Sequence, residues 1–133
     1  MSEGNGYPIG AAIAGANVHD TKLLAATLEA IVVDPPDVEQ HLCLDRGYDN
    51  PTGREAVEES GHVAHIAGTN TGERKRSKGA KPRRWVIERA FAWLQKCRGL
   101  LIRYDKKATN YLALLQLGCG LLWIRRLHQL GGL

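Results

Sequence analysis

Cysteine is scarce in this chain and poorly spaced for pairing. Cys43, Cys97 and Cys119 are odd in number and far apart, with no Cys-x-x-Cys pair and no Cys/His spacing of the kind that holds zinc. A disulfide framework and a structural zinc site are thereby excluded, and a reducing compartment, the cytoplasm, is the expected location. Cys43 and Cys119 read as small buried hydrophobes. A secretory leader is not evident, because the start, MSEGNGYP, is polar and glycine-rich rather than basic and then apolar. Long apolar runs are missing as well. The most hydrophobic stretch, residues 111–124, has 14 residues, short of the roughly 18–20 that span a bilayer, so it reads as a buried helix and no membrane partner is expected.

Positive charge is almost missing from the first half. Residues 1–72 carry 3 Lys/Arg against 11 Asp/Glu, whereas residues 73–107 carry 13 against 3. The net charge of +4 conceals this division. A dense cationic segment within an otherwise acidic chain fits a polyanionic partner; a solvated, basic loop is the plainer alternative for residues 73–81. Hydrophobic content of 44% and charged content of 24% are those of an ordinary globular chain. With 133 residues, one domain with its own core is expected.

Punctuation along the chain predicts alternating strands and helices. YPIGAAIA at 7–14 reads as a strand of small apolar residues, closed by GANVHD, with Asp20 placed to cap a helix over 21–32. Leu23, Leu24, Leu28 and Ile31 give that helix its apolar face, and DPPD at 34–37 ends it. HLCL at 41–44 and VAHI at 63–66 have strand length. Between them Pro51 opens a helix capped by Asn50 or Asp49, which ends at Gly61. Residues 67–82 form a basic loop. A long helix follows over 83–97, LLIRY is ambiguous, and a last helix covers about 110–128. This order predicts an α/β fold with a partly parallel sheet. In such sheets functional groups collect beyond the carboxyl ends of strands.

Asp45 stands at such an end, directly after HLCL. It suits a metal ligand held by a rigid element, but local sequence favours a turn-former before Arg46-Gly47. Glu88 lies near the edge of an apolar helical stripe of Val86, Ala90, Trp93 and Cys97, with Ile87, Phe91 and Leu94 beside it. Arg84 falls one turn earlier, so an Arg84–Glu88 surface ion pair competes with a metal-binding role. Trp85 and Trp93 read as core packing ahead of base stacking. His19 reads as a hydrogen-bonded structural residue, and Tyr48 and Asp49 as shaping the turn after Asp45.

Taken together, GANVHDTKLL, LCLDRGYDNPTGREAV, RRWVIERAFAWLQKCRGLLIRYDKKATNYLALLQL and LLWIRRL resemble the catalytic domain of bacterial insertion-sequence transposases of the DDE class. The resemblance covers nearly all of residues 5–130. It implies an RNase H-like fold, a mixed sheet with flanking helices, in which two Asp and one Glu bind two Mg²⁺ ions, with Mn²⁺ as a substitute. Asp45 would be the second Asp and Glu88 the Glu. Arg84, Arg89, Lys96 and Arg98 would neutralise DNA phosphates at element ends and target. Arg84 matches the arginine of the family's Tyr/Arg/Glu/Lys signature, but Lys81 stands where the tyrosine belongs and Gln95, next to Lys96, where the lysine belongs.

The first Asp of that family has no counterpart here. Glu3 is the only earlier acid, and Asp20 is better explained as a cap. The family's helix-turn-helix segment has no counterpart either. The resemblance therefore implies the C-terminal part of a transposase, N-terminally truncated, that works with an upstream transposase segment or by self-association. The alternative is an inactive remnant that binds DNA or dimerises with a full-length enzyme and inhibits it. A related metal-dependent nuclease would need its third carboxylate from Asp20 or Asp49.

Overall fold

The computed structural model describes residues 1–66 and 84–132. Its elements run α1 (Asp20–Glu29), β1 (His41–Leu44), a 3₁₀ turn (Arg46–Tyr48), α2 (Pro51–Glu59), β2 (Val63–Ile66), α3 (Arg84–Leu94), α4 (Arg98–Leu101) and α5 (Ala108–Gln129). The chain is thus a mixed α/β fold, as the sequence predicts. The basic loop expected over 67–82 lies outside the described residues.

β1 and β2 pair in parallel, from His41 opposite Val63 to Leu44 opposite Ile66. Parallel neighbours need a crossover, and α2 supplies it. Alternation decides which side chains go inward. Leu42 is 6% exposed, while its neighbours His41 and Cys43 face outward. Leu42 meets Leu24 and Leu28, one turn apart on α1, and Ala56 and Val57 on α2. Met1, Ile31, Leu44 and Tyr48 close the margin of this core. Each leucine withdrawn from water contributes about 1.5–3 kcal/mol, which makes this contact the main anchor of the strand.

A second packing unit joins α3, α4 and α5 through buried Val86, Ala90 and Leu100. The N-terminal segment ties it to the first. The Tyr7 ring lies 4.9 Å from that of Trp93 and 5.2 Å from that of Trp123, and the Trp123 indole N–H donates to the Pro8 carbonyl at 2.6 Å. At the other end of this segment, Val32 N–H donates to the Ile9 carbonyl at 3.1 Å.

The structure departs from the sequence reading in several places. Residues 7–14 are not a strand. Pro8 has no N–H to give, Ile9 N–H turns back to the Met1 carbonyl at 3.0 Å, and only an isolated antiparallel bridge links Ser2 and Pro8. Helix α1 is capped by His19 rather than Asp20, with the ring nitrogen Nδ1 accepting from Thr21 N–H at 3.3 Å. Helix α3 stops at Leu94, and the ambiguous segment begins as the short helix α4. Cys43 is exposed because it sits on the open face of the sheet, and Cys119 is only half-buried. Cys97 is exposed too, since it lies beyond the end of α3. The sheet has two strands among the described residues, smaller than the mixed sheet that the RNase H-like expectation implies.

Leu42→Ala is expected to lower the unfolding free energy by about 2–5 kcal/mol. Leu117→Ala, at a position 61% exposed on α5, should change it by no more than about 0.5 kcal/mol. Urea denaturation followed by circular dichroism checks both; equal losses would show that the core is not where Leu42 is buried.

Candidate functional site

Asp45 follows the last residue of β1 in an extended conformation and caps the 3₁₀ turn. Its Oδ1 accepts from Gly47 N–H at 2.9 Å, and the side chain is exposed. The turn-forming role is therefore real, and it also fixes one carboxylate oxygen at the end of the strand. What surrounds it is a hydrogen-bonded knot. Asn50 Oδ1 accepts from Gly53 N–H at 3.0 Å and so caps α2. Its amide donates to the Gly47 carbonyl at 3.0 Å and to Thr21 Oγ1 at 3.2 Å. Thr21 Oγ1 in turn lies 2.8 Å from His19 Nδ1. The starts of α1 and α2 and the turn after β1 are thus tied at one corner. Gly53 is required there, because a Cβ would run into the Tyr48 carbonyl oxygen.

Tyr48 reports the charge at this corner. Its hydroxyl is held above the ordinary tyrosine range by burial first, and then by the negative charges of Asp20 and Asp45. Both carboxylates therefore act on one phenol. Asp49 is engaged elsewhere, accepting from Arg54 Nε at 2.9 Å and from a second guanidinium nitrogen. His19 is taken up by its cap, as a structural histidine.

Glu88 lies midway along α3 and is exposed, while Val86 and Ala90 turn inward. Arg89 is exposed with its guanidinium carbon 4.5 Å from the Trp93 ring and 5.9 Å from the Trp85 ring. Stacking of this kind contributes about 0.5–1 kcal/mol at exposed sites and leaves the edge N–H groups able to meet a phosphate. Trp93 is a packing residue, as expected; Trp85 is exposed. Lys96, just after α3, and Arg98, at the start of α4, are both exposed. The Arg84 side chain lies outside the described part of the structure.

Asp45 thus belongs to the unit of α1, α2 and the sheet, and Glu88 to the unit whose helix α3 packs on α5. Among the described residues, no three His, Cys, Asp or Glu side chains gather as a metal-holding group. No helix among them is long and apolar enough to cross a membrane. Sequence reasoning overlooked His41 and His65, whose Nδ1 and Nε2 atoms lie 2.9 Å apart across the two strands, with Glu39 3.2 Å from the far nitrogen of His41. The alternation of HLCL and VAHI puts each histidine on a strand face; only the register shows that it is the same face.

Residues 1–123 match the family model described as the transposase DDE domain. The chain is similar to a protein named as a transposase for insertion sequence element IS402 of Burkholderia cepacia. The two are 35% identical over 138 residues, which is 97% of this chain and 64% of the relative. The chain thus spans just under two thirds of that relative's length. No solved structure matches.

The raised Tyr48 hydroxyl gives a direct test of where the Asp45 carboxylate stands. In an alkaline titration followed by tyrosinate absorbance, Tyr48 should ionise later than an ordinary tyrosine, near pH 10, and Asp45→Asn should bring it part of the way back. Because the neutral phenol is favoured by the fold, its contribution to stability is present below about pH 10 and is lost as pH climbs through the raised value. No change on Asp45→Asn would place that carboxylate away from Tyr48.

Proposed function

From a chain that belongs to the transposase DDE domain family, we propose a role in DNA transposition, in which it contributes two carboxylates, Asp45 and Glu88, to a site that cleaves DNA strands and joins them to a target. The observation that carries this reading is the extent of the family match. Residues 1–123 include both carboxylates, one directly after β1 and the other on α3. Exposed Arg89, Lys96 and Arg98, with Arg84 at the start of α3, supply cations for the phosphates on either side of a scissile bond.

The family's chemistry calls for divalent metal, Mg²⁺ or Mn²⁺, and the described donor set is too small for a two-metal site. Mg²⁺ sheds water reluctantly and is usually held by carboxylates together with substrate phosphates. Asp45 and Glu88 alone therefore bind it weakly, and the isolated chain does not cut DNA. The role of this chain's own residues is to bind and orient the backbone of DNA. In the complete enzyme a further carboxylate comes from a segment outside the chain.

The same shortage of donors favours a second reading, an inactive module that binds DNA or pairs with a full transposase and inhibits it. The two readings separate in a complementation assay. Nicking of plasmid DNA by this chain together with a longer transposase lacking its own second Asp supports the first. Inhibition of an intact transposase supports the second.

Alone, the chain is expected to retain duplex DNA with an affinity that falls steeply with salt, by about 0.9 in log–log slope for each phosphate neutralised. Arg98→Ala should flatten that slope by about one phosphate contact, whereas Asp45→Asn and Glu88→Gln should leave retention unweakened. Filter binding across a salt series measures all three, and a salt-independent affinity would remove DNA from the proposal.

A further inference from the structure

We propose that His41 and His65 form a two-nitrogen site for a borderline divalent transition metal ion, Zn²⁺, on the exposed face of the strand pair. The inference is independent of the transposase reading, since it uses neither carboxylate of that site and no DNA.

The strand register builds the pair. His41 stands opposite Val63 and Cys43 opposite His65, so the two histidines are diagonal neighbours on one face. Their rings lean together across that diagonal. The centroids are 5.0 Å apart, and Nδ1 of His41 lies 2.9 Å from Nε2 of His65. Zinc–imidazole bonds are about 2.0–2.1 Å long, which sets two nitrogens on one tetrahedral ion about 3.3 Å apart. The rings need to part by only about 0.4 Å to admit the ion at those bond lengths.

Glu39 prepares the pair to exchange its hydrogen bond for a metal. Its Oε1 lies 3.2 Å from Nε2 of His41, the ring nitrogen away from His65. A carboxylate in that position selects the neutral tautomer protonated at Nε2 and leaves the Nδ1 lone pair directed at His65. His65 then donates its Nε2–H to His41. Moving that single ring proton to Nδ1 of His65 frees Nε2 as the second donor, with no net change in protonation. Both histidines are exposed, so an ion can enter from solvent and keep water in its remaining positions. Among the described residues no third His, Cys, Asp or Glu side chain completes the set, which makes the site open and exchangeable rather than a closed structural one.

Donor chemistry sets the ion. Imidazole nitrogen suits Zn²⁺, whereas Mg²⁺ and Mn²⁺ prefer carboxylate, carbonyl and water oxygen. The histidine pair and the carboxylates Asp45 and Glu88 therefore select different ions. An ion held here also links β1 to β2 through side chains, beside the four backbone pairs of the ladder, and so stabilises the folded chain.

The test adds zinc chloride to the isotope-labelled 133-residue chain, with the histidine ring nitrogens followed by NMR and the affinity by calorimetry. The expected result is one Zn²⁺ per chain, with the His41 Nδ1 and His65 Nε2 signals moving together while the rings of His19, His62 and His128 stay in place. About a hundred-fold excess of Mg²⁺ should not displace it, and the melting midpoint should rise with Zn²⁺ but not with Mg²⁺. His41→Ala and His65→Ala should each weaken binding at least about ten-fold, the least that losing even a partner beyond the ligands costs. Cys43→Ser and Asp45→Asn should leave it unchanged. No uptake of zinc, uptake with both ring signals unmoved, or an affinity unchanged in either alanine variant would each overturn the site and leave a hydrogen-bonded histidine pair only. Displacement by Mg²⁺, or loss of binding in Cys43→Ser, would overturn it too, by assigning the ion to oxygen donors or to the thiol.

Discussion

Leu42 is held between Leu24 and Leu28 of α1 and Ala56 and Val57 of α2, and that contact determines where β1 ends. A strand of four residues has little pairing of its own to fix its register; the buried leucine does it. Sliding the strand by one residue would turn Leu42 out and His41 into the core, at the cost of both an exposed leucine and a buried imidazole. Asp45 therefore emerges at a defined height, three residues beyond the anchor. From there the Asn50, Thr21 and Gly53 hydrogen bonds convert a strand end into a rigid corner.

The second unit is fastened to the first by aromatic packing. Tyr7 lies against Trp93 of α3 and Trp123 of α5, and the guanidinium carbon of Arg126 is 5.6 Å from its ring. The helix that bears Glu88 is consequently positioned by the N-terminal segment and by α5, and only indirectly by the sheet. Apolar side chains remain on its outside. Phe91 is 58% exposed and Ile87 is exposed as well. Among the described residues, one face of the sheet and one apolar face of α3 are thus left open to further packing.

Much of this was legible in the residues. HLCL and VAHI gave both strands with their bounds, because short apolar runs between Pro/Gly punctuation have few other solutions. Pro51 behind Asn50 gave the start of α2, and Gly61, at a φ of 71°, its end. YPIGAAIA misled for a physical reason. Apolar content suggested a strand, but Pro8 and a Gly10 pressed against the Ala30 backbone suit a close-packed crossing rather than a ladder. The cap of α1 was displaced by one residue because a histidine nitrogen can accept as well as a carboxylate. Cys43 was misplaced because alternation fixes which residues share a face, and only tertiary packing decides which face is covered. At the candidate site, the position of Asp45 followed from a strand ending where its hydrophobic run ends. The joint action of Asp20 and Asp45 on Tyr48 depends on how α1 meets the turn, which no local pattern encodes.

The most direct measurement is a Mn²⁺ titration of the isotope-labelled chain bound to a short DNA duplex, read as paramagnetic broadening of backbone amide signals. If Asp45 and Glu88 serve one metal beside one phosphate, the Gly47 and Arg89 signals broaden together over the same range of Mn²⁺, and Asp45→Asn removes both effects. Broadening at only one of the two, or broadening at Arg89 that survives Asp45→Asn, would contradict a shared site.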